Sequence, residues 1–155
     1  LVAANYLRPK ESPDAWVIEV VNTMKTGDCD KLEKLLTSFF ASIPYSQRRK
    51  DDEREKERYF QYTFYLVIRM ISSFTVLIEK EQSEGRVDCI IETPMFVYIF
   101  EFKRDGSATE ALKQIEEKGY AREYATDNRT IYLIGCNFSS KTGTIDDWKS
   151  KGKSV

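Results

Sequence analysis

The segment Phe96–Lys103 (FVYIFEFK) restricts the fold more than any other part of the chain. Aromatic and β-branched residues dominate it, as they do in strands, and Arg104-Asp105-Gly106 breaks it. Side chains alternate along a strand, so Val97, Ile99, Glu101 and Lys103 share one face while Phe96, Tyr98, Phe100 and Phe102 share the other. An acid and a base two residues apart, at the end of an otherwise apolar strand, must leave the core together or serve each other. An exposed ion pair, worth little to stability, would account for them. So would a site.

The flanking segments continue the extended pattern. Thr75–Lys80 (TVLIEK) and Arg86–Glu92 (RVDCIIE) read as two further strands around the turn Ser83-Glu84-Gly85, the second closed by Thr93-Pro94. Ser107 and Glu110 form a capping box for a helix whose Ala108, Ala111, Leu112, Ile115 and Gly119 line one face. Gly119 is expected to let that helix pack closely. Thr130–Phe138 (TIYLIGCNF) is apolar enough for a strand buried on both faces. From Ser139 the chain turns polar and reads as a tail with Trp148 as anchor.

Upstream, Ser12-Pro13-Asp14 starts a helix that reaches Lys25 and ends at Gly27. Asp28 caps a second helix, with Leu32, Leu35, Leu36, Phe39, Phe40 and Ile43 at helical spacing before Pro44 stops it. Arg48–Arg58 is an unbroken run of charged residues, six basic and five acidic, a solvated helix start by its mixed signs. It leads into Tyr59–Ile68, apolar nearly all round, as a helix lying across a sheet would be. The predicted order is α-α-α-β-β-β-α-β, an α/β domain with a mixed sheet. Its expected organisation is a helical adaptor over 1–45 packed on a core over 46–149, with a tail at 150–155.

Composition narrows the chemistry. The chain has no histidine, which excludes Ser-His-Asp and Cys-His catalysis and any His-bound zinc. With 24 basic and 25 acidic residues it is not a strongly basic nucleic-acid binder, although Arg48, Arg49, Lys50, Arg86, Arg104, Lys113 and Lys118 can form a local patch. Cys29, Cys89 and Cys136 are dispersed, with no C-x-x-C pair, which points to a reducing, cytoplasmic setting. No signal peptide or membrane-spanning run is visible, so no membrane partner is expected. A start at Leu1 rather than Met suggests a domain taken from something longer.

Asp88 lies between Val87 and Cys89-Ile90-Ile91, where a carboxylate is costly to bury unless it is paired or on a metal. If its strand neighbours Phe96–Lys103, Asp88 and Glu101 converge on one point. With the backbone carbonyl of Phe102 they make an all-oxygen set suited to Mg²⁺ or Mn²⁺. Lys103 beside them is placed to orient an attacking water or to offset charge on a phosphate.

Four stretches together carry a resemblance: Gly85-Arg86-Val87-Asp88, Glu101-Phe102-Lys103, Ala111–Tyr120 (ALKQIEEKGY) and Ile134-Gly135-Cys136-Asn137-Phe138. They resemble the PD-(D/E)XK nuclease superfamily, and within it the nuclease-like domain at the C-terminus of a family of bacterial AAA-type ATPases. The likeness covers Asp28 to Trp148, with Val87 where the motif has its proline. It implies a restriction-endonuclease-like core (α-β-β-β-α-β, a mixed sheet flanked by helices) preceded by the N-terminal helical pair. It also implies metal-dependent hydrolysis of nucleic-acid phosphodiester bonds, DNA being the expected substrate, and Mg²⁺ or Mn²⁺ as cofactor. Asp88 and Glu101 would be metal ligands, Lys103 the catalytic lysine, and Glu57 a first-helix acid, with Glu53 as its alternative. Gln114 and Lys118, four apart on one helix flank, and Arg86 would meet the nucleic acid. The alternative is a catalytically silent domain of this fold that binds nucleic acid or couples to an ATPase domain upstream in the same chain.

Overall fold

The computed structural model describes residues 13–42, 75–79 and 88–153. The charged run Arg48–Arg58 with Glu53 and Glu57, the apolar segment Tyr59–Ile68, the turn Ser83-Glu84-Gly85 and Arg86 lie outside the described residues. The chain divides into two compact units. One comprises Leu1–Ser73 with Ser139–Ile145; the other comprises Phe74–Phe138 with Asp146–Val155.

The first unit contains helices α1 (Pro13–Thr26) and α2 (Cys29–Ser42). Gly27, at φ 76°, ends α1 in the left-handed region. Asp28 then starts α2 as the sequence predicts, its Oδ1 accepting from the Lys31 N–H at 3.0 Å. The helical stripe Leu32, Leu36, Phe39 and Phe40 is buried, and Trp16 of α1 lies 5.2 Å from the Phe39 ring centroid. Among the described residues no helix is long and apolar enough to cross a membrane.

The second unit is built on a sheet of order β1-β2-β3-β4-β5. The strands are β1 (Thr75–Glu79), β2 (Asp88–Glu92), β3 (Phe96–Arg104), β4 (Thr130–Ser139) and β5 (Thr144–Lys153). β1, β2 and β3 pair antiparallel, whereas β3 and β4 pair parallel. A parallel pair needs a crossover, and α3 (Ala108–Lys118) with the short 3₁₀ turn Tyr120–Tyr124 supplies it. The described β-β-β-α-β order in a mixed sheet is the α/β, restriction-endonuclease-like core that the sequence implies.

Register sorts the two faces. Ile90, Ile99 and Leu133 lie side by side, as do Val97 and Ile131, and with Ile115 of α3 and Tyr124 they form the apolar core on the α3 side. The other face is aromatic. Phe96, Tyr98 and Tyr132 stack in one group, while Phe100, Phe102 and Phe138 stack in another that Trp148 meets edge-on.

Two expectations need correction. Ser139 onward is not a polar tail: β5 runs through 144–153 and takes in most of the stretch set apart as 150–155. Its sequence, TIDDWKSKGK, lacks the apolar alternation of a half-buried strand. Adjacency to β4 through a tight turn makes it a strand, with Gly143 at φ 68° returning its N–H to the Ser139 carbonyl at 2.8 Å. Gly119 does not serve close packing either. It is the left-handed cap (φ 69°) that ends α3, donating to the Ile115 and Glu116 carbonyls. The close approach is at Gly135 on β4, where a Cβ would stand 2.3 Å from the Ala108 carbonyl oxygen of α3.

Candidate active site

The β2–β3 register sets Asp88 directly opposite Glu101. Opposite positions of an antiparallel pair share a face, so the register puts positions 88 and 101 on one face of the sheet. On its other side Glu101 aligns with Gly135, the position that α3 presses against. Glu101 is wholly buried, 0% exposed, and that demands a counter-charge. Lys118 from the last turn of α3 supplies one, its Nζ 3.3 Å from Glu101 Oε1. The same ammonium lies 5.6 Å from the Tyr120 ring centroid. Gln114, one helical turn before Lys118, has its Oε1 buried with no hydrogen-bond partner among the described residues.

The sequence places Gln114 and Lys118 together on a site edge facing nucleic acid. In the structure the Lys118 ammonium lies against the buried acid. That contact depends on how α3 crosses the sheet, which helical spacing alone does not give.

Lys103 lies two residues beyond Glu101 on β3, on the same face and partly buried. Its register partner is Asn137, which is 2% exposed. Asn137 Oδ1 accepts from the Gly106 N–H at 2.8 Å, and its Nδ2 donates to Asp146 Oδ1 at 2.7 Å. The next β5 residue, Asp147, accepts from the Ala108 N–H at 2.8 Å, while Ser107 Oγ accepts from the Glu110 N–H at 3.1 Å. The loop that leaves Lys103 is therefore tied to β4 and β5 and delivered into the capped start of α3. Asp105 in that loop takes φ 52°, a left-handed conformation uncommon outside glycine, and donates its N–H to the Phe138 carbonyl at 2.9 Å. Sequence reasoning missed Asn137, Asp146 and Asp147 as structural partners. An asparagine inside an otherwise apolar strand was the available signal.

Phe102, whose carbonyl is the third proposed oxygen, stands between Glu101 and Lys103 with its ring in the aromatic face. Among the described residues no group of three or more His, Cys, Asp or Glu side chains gathers around a point that could hold a metal. The donors here are nevertheless of the right kind. A buried carboxylate, a second acid opposite in register and the buried, unmatched amide oxygen of Gln114 on the α3 flank are hard oxygen ligands, which fit Mg²⁺ or Mn²⁺.

A second charged cluster lies at the far end of the same strands. Arg129 donates to both oxygens of Asp127, to Glu92 Oε1 at 2.7 Å and to the Thr93 carbonyl at 3.1 Å. Those hydrogen bonds hold the Asp127 carboxyl at about 2 and raise the Arg129 guanidinium further. This is a structural clamp between the β2–β3 turn and the approach to β4. Cys29, Cys89 and Cys136 are all buried thiols, and burial pushes Cys29 up to about 12, so none is poised as a nucleophile.

An antiparallel hairpin that leads through a helix into a parallel strand, with two acids opposed in register and a lysine two residues on, defines a nuclease-like α/β domain. The chain belongs to the PD-(D/E)XK nuclease superfamily, whose family model matches residues 55–148. It is also similar, at 32% identity over 129 residues, to an uncharacterized protein encoded in the vnfD 5′ region of Azotobacter chroococcum mcd 1. That match takes in 82% of this chain and 25% of the relative, so the chain spans a quarter of that protein's length.

Proposed function

We infer that the chain is a metal-dependent nuclease that hydrolyses nucleic-acid phosphodiester bonds, with DNA as the substrate and the cytoplasm as its setting. The observation that carries this reading is the register of Asp88 against Glu101 with Lys103 two residues further along the same strand face. Superfamily membership supports it. Asp88, Glu101 and the Phe102 carbonyl would hold Mg²⁺ or Mn²⁺. When bound, the cation supplies the electrophilic charge that a phosphodiester and its attacking water need. Lys103 orients that water and offsets charge as it develops on the phosphate. Glu57 adds a further acid, while Gln114, Lys118 and Arg86 meet the nucleic acid.

One observation favours a second reading. Glu101 already has a counter-charge in Lys118, as a domain that keeps the fold without the chemistry would also show. Such a silent domain would bind nucleic acid or couple to an ATPase domain elsewhere in a longer chain. Cleavage assays on plasmid, linear and single-stranded DNA and on RNA, with Mn²⁺ or Mg²⁺ and with EDTA, separate the two. The nuclease reading expects metal-dependent cleavage that disappears in Lys103→Ala and Asp88→Asn. Absence of cleavage on every substrate overturns it, and cleavage that survives both variants refutes the residue roles.

A further inference from the structure

Lys118 has a consequence for how the site is loaded. A carboxylate with no exposure is strongly disfavoured as an anion unless a cation lies against it, and at Glu101 the Lys118 ammonium is that cation. An ammonium 3.3 Å from Oε1 and a divalent cation on the same carboxylate repel each other in a poorly screened environment, so both cannot be held there at full strength. We propose that Lys118 is a built-in competitor for the cation site: it neutralises Glu101 while the site is empty and must be displaced when a divalent cation binds. This rests on the reading of Glu101 as a metal ligand and adds a threshold to it.

The surroundings suit such a displacement. The Lys118 side chain is 20% exposed, so it has a path to solvent, and its backbone is fixed by the Gly119 cap immediately after it. In its paired position the ammonium also lies 5.6 Å from the Tyr120 ring centroid, within reach of cation–π attraction. Movement of the flexible side chain alone is enough, with α3 staying on the sheet. The competition would raise the divalent-cation concentration needed for half-occupancy and select against monovalent ions, because a monovalent ion gains nothing by replacing an ammonium.

The test is Mn²⁺ binding by calorimetry, with thermal unfolding in EDTA and in Mn²⁺ as a second readout, for wild type, Lys118→Met, Lys118→Gln and Glu101→Gln. Removing the competing charge is expected to tighten Mn²⁺ binding roughly tenfold or more in K118M and K118Q. In EDTA both variants should unfold at lower temperature than wild type, because Glu101 has lost the Lys118 ammonium, and Mn²⁺ should raise their midpoints by more than it raises that of wild type. Glu101→Gln should bind no Mn²⁺. K118Q keeps a hydrogen-bond donor for Glu101 and so serves if K118M does not fold. Wild-type affinity in both folded variants overturns the competitor role while leaving the metal site standing. Absence of Mn²⁺ binding in wild type and in both folded variants overturns the metal site and the competitor role together.

Discussion

Gly135→Ala is the smallest change that tests how the site is assembled. A Cβ at that position would stand 2.3 Å from the Ala108 carbonyl oxygen, 3.0 Å from the Leu112 nitrogen and 3.1 Å from the Ala111 Cβ. The first two are backbone atoms of α3, so no side-chain rotation relieves them. Against a comfortable non-bonded separation of ~3.5 Å, α3 and β4 must part by about 1 Å. A retreat of that size forfeits a quarter to a half of each dispersion contact across the interface, and overpacking of this kind costs ~1–3 kcal/mol. Alanine restricts the unfolded chain, which returns only ~0.4–1 kcal/mol. The expected outcome is a loss of about 2 kcal/mol, read as a lower midpoint of urea unfolding by far-UV circular dichroism. Gly152→Ala is the control. Among the described residues its Cβ would meet only the Tyr132 ring, at 3.3 Å, and the change should stay within about 0.5 kcal/mol. A Gly135→Ala midpoint equal to wild type or above it refutes the claim that backbone approach at β4 fixes the helix.

Two further perturbations address the loop after Lys103 and the distal clamp. Asn137→Ala removes the acceptor for the Gly106 N–H and the donor to Asp146 at a buried position, and should cost about 2 kcal/mol in urea unfolding. It should also lower kcat more than KM in a cleavage assay, because the strand end that carries Lys103 loses its tether. Arg129→Met removes the partner that holds the Asp127 carboxyl at about 2 instead of the ordinary 3.8. A depressed carboxyl stabilises the fold above the unfolded value and loses that contribution as the pH falls through the folded one. The stability gap between wild type and Arg129→Met should therefore be full above pH ~4 and narrow as the pH drops towards ~2. A pH-independent gap in chemical unfolding would remove Asp127 from the account.

The parts of the fold that were legible in the sequence are those set by local chemistry. Ser107 and Asp28 cap their helices as predicted because a hydroxyl or carboxylate and the N–H groups just after it are neighbours in the chain. Strands β1 to β4 follow from β-branched and aromatic runs between turn residues. The opposition of Asp88 and Glu101 was legible too, since a hairpin between two adjacent strands leaves few registers that keep both apolar faces buried. What was not legible is set by tertiary partners. β5 is a strand because β4 lies beside it, and nothing in TIDDWKSKGK announces that. The glycine that matters for packing is Gly135, within a strand, whereas the more conspicuous Gly119 within a helical pattern is only its stop. The Arg129 clamp joins Glu92, Thr93 and Asp127 from different segments, so no spacing rule finds it.

The burial of Glu101, the approach of α3 and the reach of Lys118 are one feature rather than three. Glu101 aligns with Gly135, so β4 offers no side chain on that flank, and the first turns of α3 come down on the bare backbone there. With any larger residue at 135 the helix would stand further off, and a lysine in its last turn would reach a different place. A carboxylate buried at 0% exposure is a poor choice for stability, since an apolar residue of like volume in its place, with its partner replaced too, is often neutral or better. That the chain places an acid there, opposite a second acid and two residues from a lysine, sets local stability against a chemical use. Lys118 reduces the conflict while the site is empty. If the competition proposed above holds, the same side chain that permits the acid to be buried would govern when a cation can reach it.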